Sequence, residues 1–370
     1  MIIGCVKEIK THEYRVGLTP ENVKQYALFG HTVYVQAGAG AGSSFSDEDY
    51  AAMGATILPA AKEIWEKSDM IVKVKEPLAA EYDLMQDGQI LYTYLHLAAD
   101  RILTEKLLEK RVKAVAYETI EDQHGGLPLL KPMSEIAGRM SVQVGARCLE
   151  KPVGGRGVLL AGVPGVARGK VVIIGGGAVG TSACKMAIGL GGQVTMIDNN
   201  LDRLTYLDDI FGQQIQTIYS TAPAIEAAVV EADLVIGAVL IPGAAAPKLI
   251  KREYLAKMKP GSVIVDVAVD QGGCCETTKM TYHDDPTFVV DDVIHYCVAN
   301  MPGAVSRTST VALTNATLRY GTMIANLGLE AALQAEPGLA PGVNCYGGQM
   351  TCRAVAEEFG LPYADVMLLI

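Results

Sequence analysis

The segment that most constrains this chain runs from Lys170 to Asp198. An apolar strand, Lys170-Val171-Val172-Ile173-Ile174, is followed directly by Gly175-Gly176-Gly177-Ala178-Val179-Gly180. A helical pattern, Val179–Leu190, comes next, and then a second strand, Gln193–Ile197, that ends in Asp198. A lone G-x-G-x-x-G is weak evidence. Set between a strand and a helix, with an acid about 20 residues on, it is the fingerprint of a dinucleotide-binding turn. Each part has a mechanical reason. Gly175 makes the tight turn, Gly177 lets backbone approach a pyrophosphate, and Gly180 lets helix pack on strand. The pyrophosphate then meets unpaired N–H groups at the positive end of the helix dipole. Asp198 would accept hydrogen bonds from ribose hydroxyls, and its charge would repel a 2′-phosphate. That favours NAD over NADP. A similar run, Gly38-Ala39-Gly40-Ala41-Gly42-Ser43, lacks the sixth glycine and the later acid. It reads as a flexible turn.

The rest of the chain repeats the β/α alternation. Strands are expected at Ile2–Val6, Thr32–Gln36, Met70–Val74, Gln89–Leu95 and Ala114–Tyr117. Helices are expected at Pro20–Phe29, Ser46–Met53 and Arg101–Lys110. The helical starts carry N-cap signals at Thr19 and Ser46. A long helix, Met133–Leu149, precedes the Gly- and Pro-rich stretch 154–169. After the nucleotide turn come helices Leu201–Phe211 and Ala222–Glu231 and strands Leu234–Gly237 and Val263–Val269. The tail from Thr308 reads as helical. This is an α/β chain with two Rossmann-like domains and mainly parallel sheets. The nucleotide domain, 130–305, is expected to be inserted into a discontinuous catalytic domain, 1–129 and 306–370.

Composition closes off other classes. The chain has 370 residues, half of them hydrophobic and 19% charged, so it can bury a sizeable core. Its mean hydropathy is +0.23. Yet every apolar run is broken by charge, Pro or Gly before the ~18–20 residues a spanning helix needs. The net charge of −10 argues against a nucleic-acid partner. The first residues, Met1 to Lys7, lack the basic-then-apolar build of a signal peptide. Eight scattered cysteines with no C-x-x-C read as reduced thiols of a cytosolic protein.

Ligands of open α/β sheets sit at the carboxyl ends of strands. That rule picks out Lys73 and Lys75, His96, Asp266 and Asp270, and Asn300. His96 is the best acid/base candidate, since an imidazole titrates near neutral pH. Lys73 and Lys75 alternate with apolar residues, so both would share one strand face. They serve either as cations for an anionic substrate or as solvated groups on an edge strand. Arg15, in the loop after the first strand, could fork onto a carboxylate. His295 lies in an apolar run and reads as a core histidine. His12, His31, His124 and His283 read as surface residues.

Several ordered blocks resemble the bacterial L-alanine dehydrogenases over essentially the full chain. They are Lys7-Glu8 through Glu13-Tyr14-Arg15-Val16, Val72-Lys73-Val74-Lys75-Glu76-Pro77, Leu95-His96-Leu97-Ala98, Pro132-Met133-Ser134-Glu135-Ile136-Ala137-Gly138, Val235-Ile236-Gly237-Ala238-Val239, Asp270-Gln271-Gly272-Gly273 and Tyr296-Cys297-Val298-Ala299-Asn300-Met301-Pro302. The resemblance implies oxidation of L-alanine by NAD to pyruvate and ammonium, and the reverse. It implies that Arg15 and Lys75 bind substrate, with His96 and Asp270 as the catalytic pair. Ser134, Ala178, Val179, Asp198, Arg203, Ser220, Val239, Leu240, Val267, Ala268, Val269, Asp270, Lys279, Val298, Ala299, Asn300 and Met301 would line the NAD site. It also implies a cytoplasmic homohexamer without membrane or nucleic-acid partners. Some relatives hold a metal with a Glu and a His where this chain has Met323 and Leu327. Neither suits a hard cation, so no metal is expected. The rival within this resemblance is the NAD-binding, hydride-transfer subunit of a nicotinamide nucleotide transhydrogenase.

Overall fold

A computed structural model of the chain describes residues 1–239 and 246–370. They divide into two compact units, Met1–Pro132 with Gly303–Ile370, and Met133–Pro302.

In the first unit, strands β1 (Ile2–Cys5), β2 (Thr32–Gln36), β3 (Thr56–Leu58), β4 (Met70–Val72), β5 (Ile90–Thr93) and β6 (Lys113–Ala116) are mutually parallel. Helices α1 (Pro20–Leu28), α2 (Asp47–Ala52), α3 (Ala61–Lys67) and α4 (Arg101–Glu109) connect them. The central strands are buried on both faces, as a covered parallel sheet demands. Ile71, Leu91, Trp65, Leu103 and Leu107 belong to one core cluster, formed with α3 and α4. The helix starts follow local chemistry. Thr19 and Asn22 cap each other reciprocally around Pro20, and Ser46 and Asp49 do the same for α2.

The second unit begins within α5 (Lys131–Cys148). It continues through β7 (Lys170–Ile174), α6 (Ala178–Gly189), β8 (Gln193–Asp198), α7 (Leu201–Phe211), β9 (Ile215–Tyr219), α8 (Ala222–Glu231) and β10 (Leu234–Gly237). The one-turn helix α9 (Arg252–Leu255) leads to β11 (Val263–Asp266), and β12 (Thr287–Val290) and β13 (Val293–Tyr296) follow. The sheet order is β12-β13-β11-β10-β7-β8-β9, parallel except for β12. Without β12, it is the doubly wound dinucleotide-fold order, whose direction reverses between β7 and β10.

The tail corrects one expectation. It contains α10 (Ser306–Leu327), α11 (Leu329–Ala335) and α12 (Arg353–Phe359), but also a hairpin, β14 (Val343–Tyr346) and β15 (Gln349–Met350). Strand β14 pairs antiparallel with β6, which gives the first sheet the order β15-β14-β6-β5-β4-β1-β2-β3. The two-residue Gly347-Gly348 turn, with φ of 58° and 86°, carries the hairpin. Two more expectations fail at strand ends. β11 stops at Asp266 instead of reaching Val269, and β4 stops at Val72 instead of Val74. In both cases a buried carboxylate, Asp266 or Glu8, takes over backbone N–H groups beyond the strand.

The decoy at Gly38–Ser43 is not a loose turn. Ser43 Oγ donates to Tyr14 O at 3.0 Å and lies 2.8 Å from Thr310 Oγ1. Arg307 donates to the carbonyls of Ser43 and Ser44 and stacks over Phe45. A side chain at Gly42 would meet the Tyr14 carbonyl. The turn is the seat for the start of α10.

Candidate active site

The first sheet reverses its order between β1 and β4, so the loops after these strands should carry ligand-binding groups. Arg15 lies in the loop after β1 and is 2% exposed. Its Nε donates to Glu13 Oε1 at 2.7 Å, and Nη2 donates to Glu13 Oε2 at 2.5 Å. Burial pushes the Glu13 carboxyl up, but the Arg15 fork outweighs it and holds the group below the usual carboxylate range. Glu13 thus fixes the guanidinium plane. The family blocks contain Glu13 without marking its role; the sequence signal for it is an acid two residues before the arginine.

The two lysines after β4 do not share an environment. Lys73 is fully buried, and its ammonium donates to Glu81 at 2.9 Å and Glu8 at 3.3 Å. It is neither solvated nor on an edge, because β4 lies between β1 and β5. Lys75 is half-buried, and among the described residues its ammonium has no ion-pair or hydrogen-bond partner. Burial and the nearby Arg15 guanidinium pull its pKa down. Glu8 accounts for the difference. One oxygen accepts Val74 N at 2.7 Å and Lys75 N at 3.3 Å, and the other takes Lys73.

His96 follows β5 with a left-handed backbone, φ 50° and ψ 39°. Its ring is exposed and stacks on Tyr94, with centroids 6.0 Å apart and planes 12° apart. Both ring nitrogens are unengaged among the described residues. The backbone is not: Glu118, after β6, accepts His96 N at 2.6 Å and Leu95 N at 3.0 Å. Tyr94 is itself anchored through its hydroxyl to Leu129 O at 2.6 Å. Neither Glu118 nor Tyr94 was legible beforehand, because their roles are backbone and ring contacts.

The second unit carries the nucleotide fingerprint. Gly175 has φ 102°, and a Cβ there would meet the Ala238 carbonyl. The turn after β7 therefore touches the end of β10, at the point where the sheet order reverses. A Cβ on Gly180 would lie 1.8 Å from Gly175 O, whereas one on Gly177 would meet nothing within 4 Å. Gly177 supplies no side-chain cap to α6, so the first N–H groups of the helix are left for another acceptor. Asp198 Oδ2 accepts Gly176 N at 2.6 Å, Oδ1 accepts Asn200 N at 2.8 Å, and its carbonyl accepts Ser220 N at 2.9 Å. Arg203 bonds the Gly176 carbonyl and Thr181 Oγ1 and stacks over Tyr206 at 4.7 Å. Gly138 lets α5 approach the Val179 carbonyl, which sets Ser134 one helical turn earlier on a half-buried face.

Val239 is half-buried past β10; Leu240 lies outside the described residues. Val267, Ala268, Val269 and Asp270 follow β11, and the exposed Asp270 carboxylate is unengaged among the described residues. Lys279 is exposed, and Val298 to Met301 follow β13, with Asn300 at φ 60° and its carbonyl bonded to His283 Nε2. Asp266, by contrast, is wholly buried and fully occupied by its own loop. His295 is a core histidine: Nδ1 donates to Val293 O at 3.0 Å, and Nε2 accepts from the Thr277 hydroxyl at 2.7 Å. Burial lowers its pKa. Among the described residues no group of three metal-ligating side chains occurs, and no helix is long and apolar enough to cross a membrane.

Residues 4–137 match the family described as alanine dehydrogenase/PNT, N-terminal domain, and residues 141–353 match alanine dehydrogenase/PNT, C-terminal domain. The chain is 55% identical to an alanine dehydrogenase of Halomonas elongata, with all of both chains covered. It is 56% identical to one of Bacillus subtilis, covering 98% of this chain and 96% of the relative. A solved L-alanine dehydrogenase superposes with a TM-score of 0.95 at 55% identity, over 97% of this chain and 99% of that one. A transhydrogenase from Sinorhizobium meliloti shares the fold at 24% identity, with a TM-score of 0.82 over 96% and 100% of the two chains.

Proposed function

From the premise that the chain belongs to the alanine dehydrogenase/PNT family, we propose a division of labour among its residues. The chain is an NAD-dependent enzyme that interconverts L-alanine with pyruvate and ammonium. The transhydrogenase likeness extends to the fold alone.

The second unit's residues fit NAD. The open space at Gly177, the uncapped start of α6 and the carboxylate of Asp198 suit a pyrophosphate followed by a ribose diol. Ser134, Arg203, Ser220, Val239, Leu240, Val267 to Asp270, Lys279 and Val298 to Met301 are the proposed remainder of that site. Bound NAD supplies the acceptor for the hydride from the alanine Cα.

The first unit holds the substrate. Lys75, whose ammonium beside Arg15 has no partner among the described residues, takes the carboxylate, and Arg15 presents a plane already fixed by Glu13. That fixes Cα for transfer. Once the alanine ammonium has given a proton to a base, loss of hydride from Cα leaves an iminium. Water adds to it, and the carbinolamine collapses to pyruvate and ammonium. These steps need a base for the water and an acid for the leaving amine. The free imidazole of His96 serves both, and Asp270 holds or relays the proton and stabilises the cationic iminium. The observation that carries this reading is a pair on the first sheet's strand ends without partners among the described residues, the Lys75 ammonium and the His96 ring.

We further propose a cytoplasmic homohexamer with no metal. The free thiols of all eight cysteines support a reducing compartment. NADH oxidation with pyruvate plus ammonium, against controls omitting either, tests the reaction. Turnover without ammonium would overturn it.

A further inference from the structure

The loop after β11 is wound around a buried carboxylate. Asp266 has no exposed surface. Its Oδ1 accepts Ala268 N at 3.2 Å and Cys274 Sγ at 3.6 Å. Its Oδ2 accepts Cys275 N at 3.2 Å and the Thr278 hydroxyl. Among the described residues it has no cationic partner, so these four donors are what stabilises the carboxylate. Two glycines make room for the winding. A Cβ on Gly273, at φ 78°, would lie 2.5 Å from Asp266 Oδ2, and one on Gly237 would lie 2.2 Å from Cys274 Sγ. On its outer side the same loop is held by Lys248, which donates to the carbonyls of Gly272 and Cys275. Further along, Thr277 is pinned to His295. Asp270 sits inside this frame, on a single 3-10 turn that starts three residues after Asp266.

We propose that Asp266 is a positioning residue for the reaction: its carboxylate, through Ala268, Cys275 and Thr278, sets the loop that presents Asp270. This rests on the reading of Asp270 as catalytic. A free Asp270 side chain on a short turn is held in place only by its backbone, and the backbone is held by Asp266. An amide at position 266 would turn an N–H₂ donor toward the N–H and hydroxyl donors that now converge there.

The test uses the whole enzyme, four single variants and the Asp266→Asn/Thr278→Val double variant. Asp266→Asn and Thr278→Val remove the acceptor and the hydroxyl donor, Thr278→Ser restores the donor, and Asp270→Asn reports on the reading beneath. Steady-state alanine oxidation, with NADH titration by fluorescence, is the readout. Misplaced catalytic groups cost up to ~100-fold. Asp266→Asn should lose ~10–100-fold in kcat with KM for alanine little changed, because Arg15 and Lys75 belong to the other unit. Thr278→Val should lose less, Thr278→Ser should recover most of it, and the Asp266→Asn loss should not add to that of Thr278→Val. If Asp266→Asn fails to fold, the Thr278 pair decides. Normal kcat in Thr278→Val, or equal losses in Thr278→Val and Thr278→Ser, overturns the proposal while a dead Asp270→Asn leaves the reading of Asp270 standing. An active Asp270→Asn overturns both.

Discussion

The amide of His96 donates to the Glu118 carboxylate at 2.6 Å while the His96 backbone sits in the left-handed region. A β-carbon in that region costs energy, and a carboxylate that accepts two successive N–H groups offsets it. The outcome is an imidazole stacked on Tyr94, with both nitrogens unengaged among the described residues.

Replacing the ring without disturbing that backbone isolates its chemistry. His96→Asn keeps a residue type that tolerates the left-handed region. It should lower kcat by ~10²–10⁴-fold, the range of general acid/base catalysis, and leave NADH affinity nearly unchanged. Turnover close to that of the unmodified enzyme would remove His96 from the mechanism and leave Asp270 as the main candidate.

Lys75 should give pyruvate binding a pH dependence. Burial and Arg15 depress its pKa, so it loses its proton at a lower pH than the ordinary lysine value near 10.4. Pyruvate affinity should fall as pH rises through that depressed pKa, and Lys75→Arg should move the fall beyond the accessible range. The same shift has a stability sign. The folded state binds this proton more weakly than the unfolded state, so the enzyme carries a penalty in full below the depressed pKa, and the penalty fades as pH approaches the unfolded value. Lys75→Met should therefore raise Tm at neutral pH, with the gain shrinking in alkaline buffer. A Tm that falls at neutral pH would contradict it.

Lys73 should matter for stability. Removing its ammonium leaves Glu8 and Glu81 buried together without their counter-charge. Breaking such a pair costs about 3–5 kcal/mol, so Lys73→Met should unfold at clearly lower urea. A midpoint within error of the unmodified protein would show that the cluster relaxes.

Asp198 should set cofactor choice. Its carboxylate repels a 2′-phosphate, so NAD should be strongly preferred over NADP. Asp198 also accepts the Gly176 amide; Asp198→Asn keeps one oxygen for that amide and removes the charge, at the cost of the acceptor for Asn200 N. The gap in kcat/KM between the two cofactors should narrow. Equal kcat/KM for NAD and NADP in the unmodified enzyme would refute the role.

The regular elements were readable because their signals are local. Leu201–Phe211, Ala222–Glu231 and Thr32–Gln36 have the expected ends, and the caps at Thr19 and Ser46 are present. The missed hairpin is short, and its pairing with β6 joins residues far apart in sequence. The same applies to the site. Glycines 175, 177 and 180 announce a turn by spacing alone. The contrast between Lys73 and Lys75 depends on Glu8 and Glu81, which only the fold brings near. Asp266 and Asp270 are both acids at a strand end, and nothing local tells the buried frame from the exposed group.

The pairing of β14 with β6 also bears on how the protein is made. The inner neighbour, β6, is finished at Ala116, but the strand that covers its edge begins at Val343. The ribosome must add some 230 residues between them, a wait of roughly 10–50 seconds at ordinary elongation rates. Throughout that interval the contiguous second unit can emerge and fold, while the first sheet ends in an open row of N–H and C=O groups. Such an edge is a template for pairing with another chain. Nascent copies on one message are thus most exposed to mispairing before the last thirty or so residues appear, and a chaperone would have most to protect there.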